Sequence, residues 1–249
     1  LDTFSIEKYQ PKHKLLWDRF IATSKNATFL FNRDFMEYHQ DRFEDFSLLV
    51  FKDEKLMAVL PANRVGNELH SHQGLSYGGL VLPEDSTMND VADVFENIVL
   101  YLKKSDIEAL FLKMMPNIYP HLTSNELSYL LNKAGADLNR VDIEMAIDYS
   151  KPFVIHKTKE KHFKKASKYN FDIRESDDLS NFWDLVLQPK LESKYRSKPV
   201  HTLSEIQQLK DKFPNNIFQY DVYFEGEIVA GITLFETENL VKSQYGAAN

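Results

Sequence analysis

The sequence predicts a mixed α/β protein with α+β sheets, built from one domain pattern used twice. Three observations predict it. Residues Ile217 to Asn249 read as strand 217–224, a tight turn at Glu225-Gly226-Glu227, strand 228–236 and strand 240–246, with β-branched and aromatic residues in the strands. The same pattern has already occurred as Phe46–Phe51, the turn Lys52-Asp53-Glu54, Lys55–Arg64 and Glu68–Gly79. Landmarks also recur at spacings between 166 and 173 residues: Trp17-Asp18 with Trp183-Asp184, Phe51 with Phe224, Ala58 with Ala230, and Tyr77-Gly78 with Tyr245-Gly246. A repeat at this period implies two domains, 1–150 and 151–249.

The elements follow in order. A short strand (Thr3–Tyr9) stops at Pro11. Helix 12–24 presents Leu16 and Phe20 with Leu15, Trp17 and Ile21 as an apolar face. Helix Arg33–Phe43 leads into the first three-strand meander, where Pro61 implies an edge or a bulge because proline cannot donate to a ladder. Helix 88–104 carries Val91, Val94, Phe95, Ile98, Val99 and Leu102 at helical spacing, with Thr87 and Asp90 as its cap. Strand 107–113 precedes helix 124–134, with Thr123 and Glu126 as a capping box and Gly135 at the stop. Residues 137–148 alternate at Val141, Ile143, Met145 and Ile147, the period of a half-buried strand. The first half is thus β-α-α-β-β-β-α-β-α-β, which is not a doubly wound order. The second half opens with a lysine-rich helix, 157–168, then strand Phe171–Arg174. Helix 179–187, a polar connection Lys190–Val200, and helix 203–213 with Thr202 and Glu205 as its capping box precede the last meander. The first copy continues with helices and strands from Leu80 to Tyr149 that the second lacks, so further residues are expected after Asn249.

Composition narrows the function. A chain of 249 residues that is 43% hydrophobic and 13% aromatic can fill two medium cores. A net charge of −7 argues against DNA binding by bulk electrostatics while permitting a local basic patch. With no cysteine, disulfides, thiolate zinc sites and a cysteine nucleophile are excluded. No apolar run approaches the roughly 18 residues of a membrane helix, and no signal peptide precedes Leu1, so a cytoplasmic location is expected. The sequon Asn26-Ala27-Thr28 has no meaning without secretion. His70-Ser71-His72 places two imidazoles on one strand face, but the sequence offers no third ligand, so no metal is expected. Walker, GxGxxG, HExxH and EF-hand patterns are all absent.

The order helix, helix, three antiparallel strands, helix, strand, helix, strand resembles the GNAT acyltransferase fold, here in tandem. Tandem domains of this kind are similar to the Fem family of peptidoglycan peptidyltransferases and to related acetyltransferases of surface-polysaccharide clusters. The run Gln73-Gly74-Leu75-Ser76-Tyr77-Gly78-Gly79-Leu80-Val81 resembles the glycine-bearing strand end of those relatives. Lys164-Lys165-Ala166-Ser167-Lys168 resembles their basic helix opening domain two, and Ala230-Gly231 with Tyr245-Gly246-Ala247 their second central hairpin.

The resemblance implies acyl transfer from a thioester to an amine, with acetyl-CoA or another acyl-CoA as co-substrate. The acceptor would be an amino sugar or another small or lipid-linked amine used in envelope or polysaccharide synthesis. Such a reaction needs a deprotonated amine, donors for the oxyanion and a proton for the leaving group, but no covalent intermediate. Tyr245 is the candidate catalytic residue, because it ends the strand beside the expected splay. Its ordinary alternative is packing. Tyr77, Gly78 and Gly79 occupy the matching place in the first domain, as a substrate-facing loop or a simple turn. Tyr195, Arg196 and His201 are candidates for contacting an anionic or sugar-linked acceptor, against the alternative of a solvated loop. The family's donor segment would lie beyond Asn249. A second reading keeps the fold and takes the acyl group from aminoacyl-tRNA onto a cell-wall precursor. A third is a non-catalytic binding module.

Overall fold

The computed structural model describes residues 3–249; Leu1, where the first predicted domain begins, lies outside them. The chain divides into two compact units. One runs to Asn139 and includes Thr237–Leu240; the other comprises Arg140–Glu236 and Val241–Asn249.

The first unit contains β1 (Phe4–Lys8), α1 (Lys14–Ala22), α2 (Arg33–Met36), β2 (Glu44–Asp45), β3 (Leu48–Lys52), β4 (Lys55–Leu60), β5 (Asn63–Val65), β6 (Glu68–His70), α3 (Met88–Lys104), β7 (Ala109–Phe111) and α4 (Glu126–Lys133). Its described strands form sheets β1-β3-β4 and β2-β5-β6-β7. All pairs are antiparallel except β6–β7, and a parallel pair requires a crossover, which α3 supplies. Thr87 caps α3, its Oγ1 accepting from the Asp90 amide at 3.2 Å. Val91, Val94, Ile98 and Leu102 then bury one stripe of the helix against Leu48, Val50, Leu60 and Leu69. Each such side chain contributes about 1.5–3 kcal/mol by leaving water.

Several expectations fail here for local reasons. Helix α1 buries Trp17 and Ile21 and leaves Leu15 62% exposed, because the Trp17 indole donates to the Phe31 carbonyl at 2.8 Å and fixes which face turns inward. The strand expected to run to Gly79 ends at His70, since His72 takes a left-handed φ of 58° that no strand continues through. Helix α4 has Asn125 at its N-cap and no capping box; Glu126 turns away to the buried Lys25 ammonium at 2.6 Å. Asn26 is used structurally: its amide donates to the Leu80 carbonyl and accepts from the Leu82 amide, both at 2.8 Å.

The second unit contains α5 (Lys157–Ala166), β8 (Asp172–Glu175), α6 (Ser180–Phe182), a π turn (Trp183–Leu187), α7 (Gln188–Tyr195), α8 (Leu203–Lys212), β9 (Ile217–Phe224), β10 (Glu227–Glu236) and β11 (Val241–Ala248). The strands form one antiparallel sheet, β11-β10-β9-β8. Glu225 and Gly226 turn β9 into β10 with φ of 52° and 87°, the left-handed pair of a tight hairpin. Ile217, Gln219 and Asp221 of β9 and Gly231, Thr233 and Phe235 of β10 form the buried rows. Against them lie Leu179, Phe182, Trp183, Val186, Ile206 and Leu209, all at most 1% exposed.

Two further expectations fail, one in the stretch that crosses the boundary at Asn139 and one within this unit. Residues 137–148 form no strand, and Ile143 and Met145 are 91% and 95% exposed. Alternation assigns two faces to an extended segment, but a strand exists only where a neighbour accepts its ladder, and no described neighbour does. The helix expected at 179–187 continues to Tyr195, so Lys190–Tyr195 is helical rather than a polar connection. Pro189 lacks an N–H and crowds the carbonyl four residues before it, yet it widens the helix instead of ending it: the Gln188 amide donates to the Trp183 carbonyl, one residue further back than in an α-helix.

Candidate functional site

The second unit brings two of the expected site residues together. Tyr245 lies in β11 opposite Thr233 of β10, and His201 lies in the loop after α7. The Tyr245 Oη sits 2.6 Å from His201 Nδ1 and accepts from the His201 amide at 3.3 Å. One hydrogen lies in the Oη–Nδ1 contact, so phenol and imidazole form a pair through which a proton can pass. Trp183, the first residue of the π turn, packs edge-on against the Tyr245 ring with centroids 4.8 Å apart. Burial pushes the Tyr245 phenol above its ordinary pKa, which keeps it protonated at neutral pH.

A polar row continues from Tyr245 across the sheet beneath the helices. Thr233 Oγ1 donates to Gln219 Oε1 at 2.6 Å, and Gln219 Nε2 donates to Asp221 Oδ1 at 2.7 Å. Thr233, Gln219 and Asp221 are completely buried, and burial pushes the Asp221 carboxyl up. Gly231 makes room for this arrangement: a Cβ there would stand 2.4 Å from the Phe182 ring. These residues are missing from the sequence reading. Their signal was present as Gln219 and Asp221 alternating with Phe218, Tyr220 and Val222, but the polar set reads naturally as the solvent face.

The other expected residues lie elsewhere. Tyr195 and Arg196 are exposed at the end of α7, where Arg196 is the left-handed C-cap (φ 50°). Among the described residues the Arg196 guanidinium makes no hydrogen bond or ion pair, so it is free to meet an anion. In the first unit Tyr77 is a core residue, its Oη 2.8 Å from Thr28 Oγ1 and its ring against Phe31 and Tyr119. Gly78 is needed for close approach: its amide donates to the Lys113 carbonyl at 2.6 Å, and a Cβ would stand 2.1 Å from the Ser71 carbonyl. Gly79 supplies a φ of 104°. None of the three presents a reactive group. The two imidazoles expected on one face separate, His70 pairing with Glu68 at 3.0 Å and His72 stacking on His39 at 5.4 Å. Among the described residues no group of three or more potential ligands could hold a metal ion, and no helix is long and apolar enough to cross a membrane.

No protein-family description matches the sequence, and no curated protein matches it. Ten solved chains match the structure. One of these is the crystal structure of FemX, with a TM-score of 0.59 over 98% of this chain and 80% of that one, at 10% identity. The fold is therefore FemX-like.

Proposed function

We infer that the protein is a Fem-type transferase that moves an aminoacyl group from tRNA to the amine of a cell-wall peptide precursor. The observation that carries this reading is the FemX-like fold across 98% of the chain. It supports the tRNA-borne donor over coenzyme A, the donor that leads the reading of the sequence.

The reaction needs little from the protein beyond positioning and proton handling. The amine nitrogen bonds to the ester carbonyl carbon, and the bond from that carbon to the ribose oxygen breaks. The amine gives up one proton and the ribose oxygen gains one. Tyr245 and His201, sharing a hydrogen over 2.6 Å, can take the first and return the second. Arg196 provides a guanidinium for the precursor's phosphates.

The test is a transfer assay with tRNA carrying labelled amino acids, a nucleotide- or lipid-linked peptide precursor as acceptor, and acetyl-CoA as the competing donor. Label appearing on the precursor from tRNA supports the reading. Release of CoA with an amine panel, and no transfer from tRNA, would overturn it in favour of the acyl-CoA enzyme.

A further inference from the structure

In a protein of net charge −7, one element collects an excess of positive charge. Helix α5 carries Lys157, Lys161, Lys164 and Lys165 at i, i+4, i+7 and i+8, which places them within an arc of about 100°. Lys168 follows just past the C-cap, where its amide still donates to the Lys165 carbonyl at 3.3 Å. All residues of the helix are exposed. Among the described residues none of these five ammonium groups makes a hydrogen bond or ion pair. Glu160 is the only acidic residue of the helix and lies outside the stripe.

This arrangement works against the helix itself. Like charges at i, i+4 (Lys157 with Lys161, Lys161 with Lys165) destabilise an isolated helix, each by about 0.2–0.5 kcal/mol. Glu160 at i, i+4 to Lys164, and the placing of Lys164 and Lys165 in the last turn, offset part of this, but a ten-residue helix that buries no side chain has no packing to offset the rest. The repulsion is relieved when phosphates replace water along the stripe. Its length, about 12 Å from Lys157 to Lys165, spans several phosphates of one nucleic-acid strand.

We propose that this face of α5 docks the phosphate backbone of RNA. The proposal takes its choice of polyanion from the tRNA-borne donor inferred above. Two features of this region favour RNA over an anionic membrane. The side of α5 away from the stripe offers only Phe163 (74% exposed) and Ala166 as apolar groups, too little for a helix lying in a lipid interface. Directly after the helix, Tyr169 and Phe171 form an exposed aromatic cluster with Phe224, at centroid distances of 5.5–5.9 Å, a surface on which unpaired bases stack.

The experiment measures binding of uncharged tRNA and of anionic phospholipid vesicles across a salt series. It compares the unaltered chain, a K157Q/K161Q/K164Q/K165Q/K168Q variant and the matching Lys→Arg variant. Each phosphate contact contributes about 0.7–0.9 to the slope of log affinity against log salt, so five lost contacts lower the slope by about 3.5–4.5. The Lys→Arg variant keeps the slope, and the Lys→Gln variant keeps or raises its thermal midpoint. An unchanged slope in the Lys→Gln variant, no binding of tRNA at low salt, or stripe-dependent binding to vesicles alone would each overturn the proposal. Stripe-dependent tRNA binding without aminoacyl transfer would refute the inferred function and leave the docking face standing. Transfer indifferent to the stripe would do the reverse.

Discussion

Replacing Tyr245 by Phe tests the pair at the centre of the candidate site, because it removes one oxygen and leaves the ring where Trp183 packs on it. His201 is 7% exposed and loses a partner at its Nδ1 and its amide. A buried polar group deprived of its partner costs about 1–3 kcal/mol. For a chain of this size each kcal/mol moves the thermal midpoint by about 2–4 °C. The assay has a built-in reporter. The sequence holds two tryptophans, and Trp17 and Trp183 fall in different units. In a Trp17→Phe background, Trp183 fluorescence therefore follows urea unfolding of the second unit alone, and from 4.8 Å it reports directly on the Tyr245 ring. The double variant Tyr245→Phe with His201→Leu removes both partners, and paired removal is far cheaper than leaving one behind. The two losses should fall short of additivity by about 0.5–3 kcal/mol. Transfer by Tyr245→Phe should slow by about 10²–10⁴, the usual worth of a positioned proton carrier. Strict additivity together with unchanged turnover would refute the argument that the contact is both structural and functional.

Other consequences are as direct. Gly231→Ala should destabilise the second unit by about 1–3 kcal/mol, since the new Cβ meets the Phe182 ring at 2.4 Å. Gly246→Ala, whose Cβ finds only ordinary contacts at 3.8 Å and beyond, should be neutral or stabilising, and urea midpoints of the two variants decide it. Burial, helped by the neighbouring His39 and Arg33, lowers the His72 pKa from 6.5 to about 4, with Asp45 opposing. The folded state thus disfavours the proton that the unfolded chain accepts, so stability is full above pH 6.5 and falls towards pH 4, by on the order of 3 kcal/mol. His72→Asn, which tolerates the left-handed backbone there, should flatten that limb of a stability–pH profile. At the other extreme burial pushes Tyr9 up to about 12. Stability is therefore full below pH 10 and declines as pH rises towards 12, and Tyr9→Phe should make that decline shallower in the same measurement.

How far the sequence could be read depended on whether a signal was local. Thr202 with Glu205, and Glu225-Gly226, state a helix start and a hairpin turn through their own side chains and backbones, and both stand where the sequence places them. The alternation at Val141–Ile147 is equally clear, yet it describes a face, and pairing depends on a partner the segment does not encode. Tyr245 and His201 were each visible as candidates, but their meeting is a product of the loop after α7 and the register of β11. Gln219 and Asp221 were hidden because polar residues alternating with aromatics suggest solvent, whereas the helices cover that side. The helix Gln188–Tyr195 stands where a polar connection is expected, because proline usually ends a helix whereas Pro189 begins a new stretch within one.

That wide turn sets a phase. A π turn holds one residue more than the helix around it needs, so everything after Leu187 is rotated by about 100° relative to an uninterrupted helix. Arg196, at the far end, points where it does because of an insertion made beside Trp183. Deleting a single residue between Trp183 and Leu187 would leave the helix intact and turn the guanidinium by more than a quarter of a revolution. The helix thus works as a vernier: its composition at one end selects the bearing of a charge at the other.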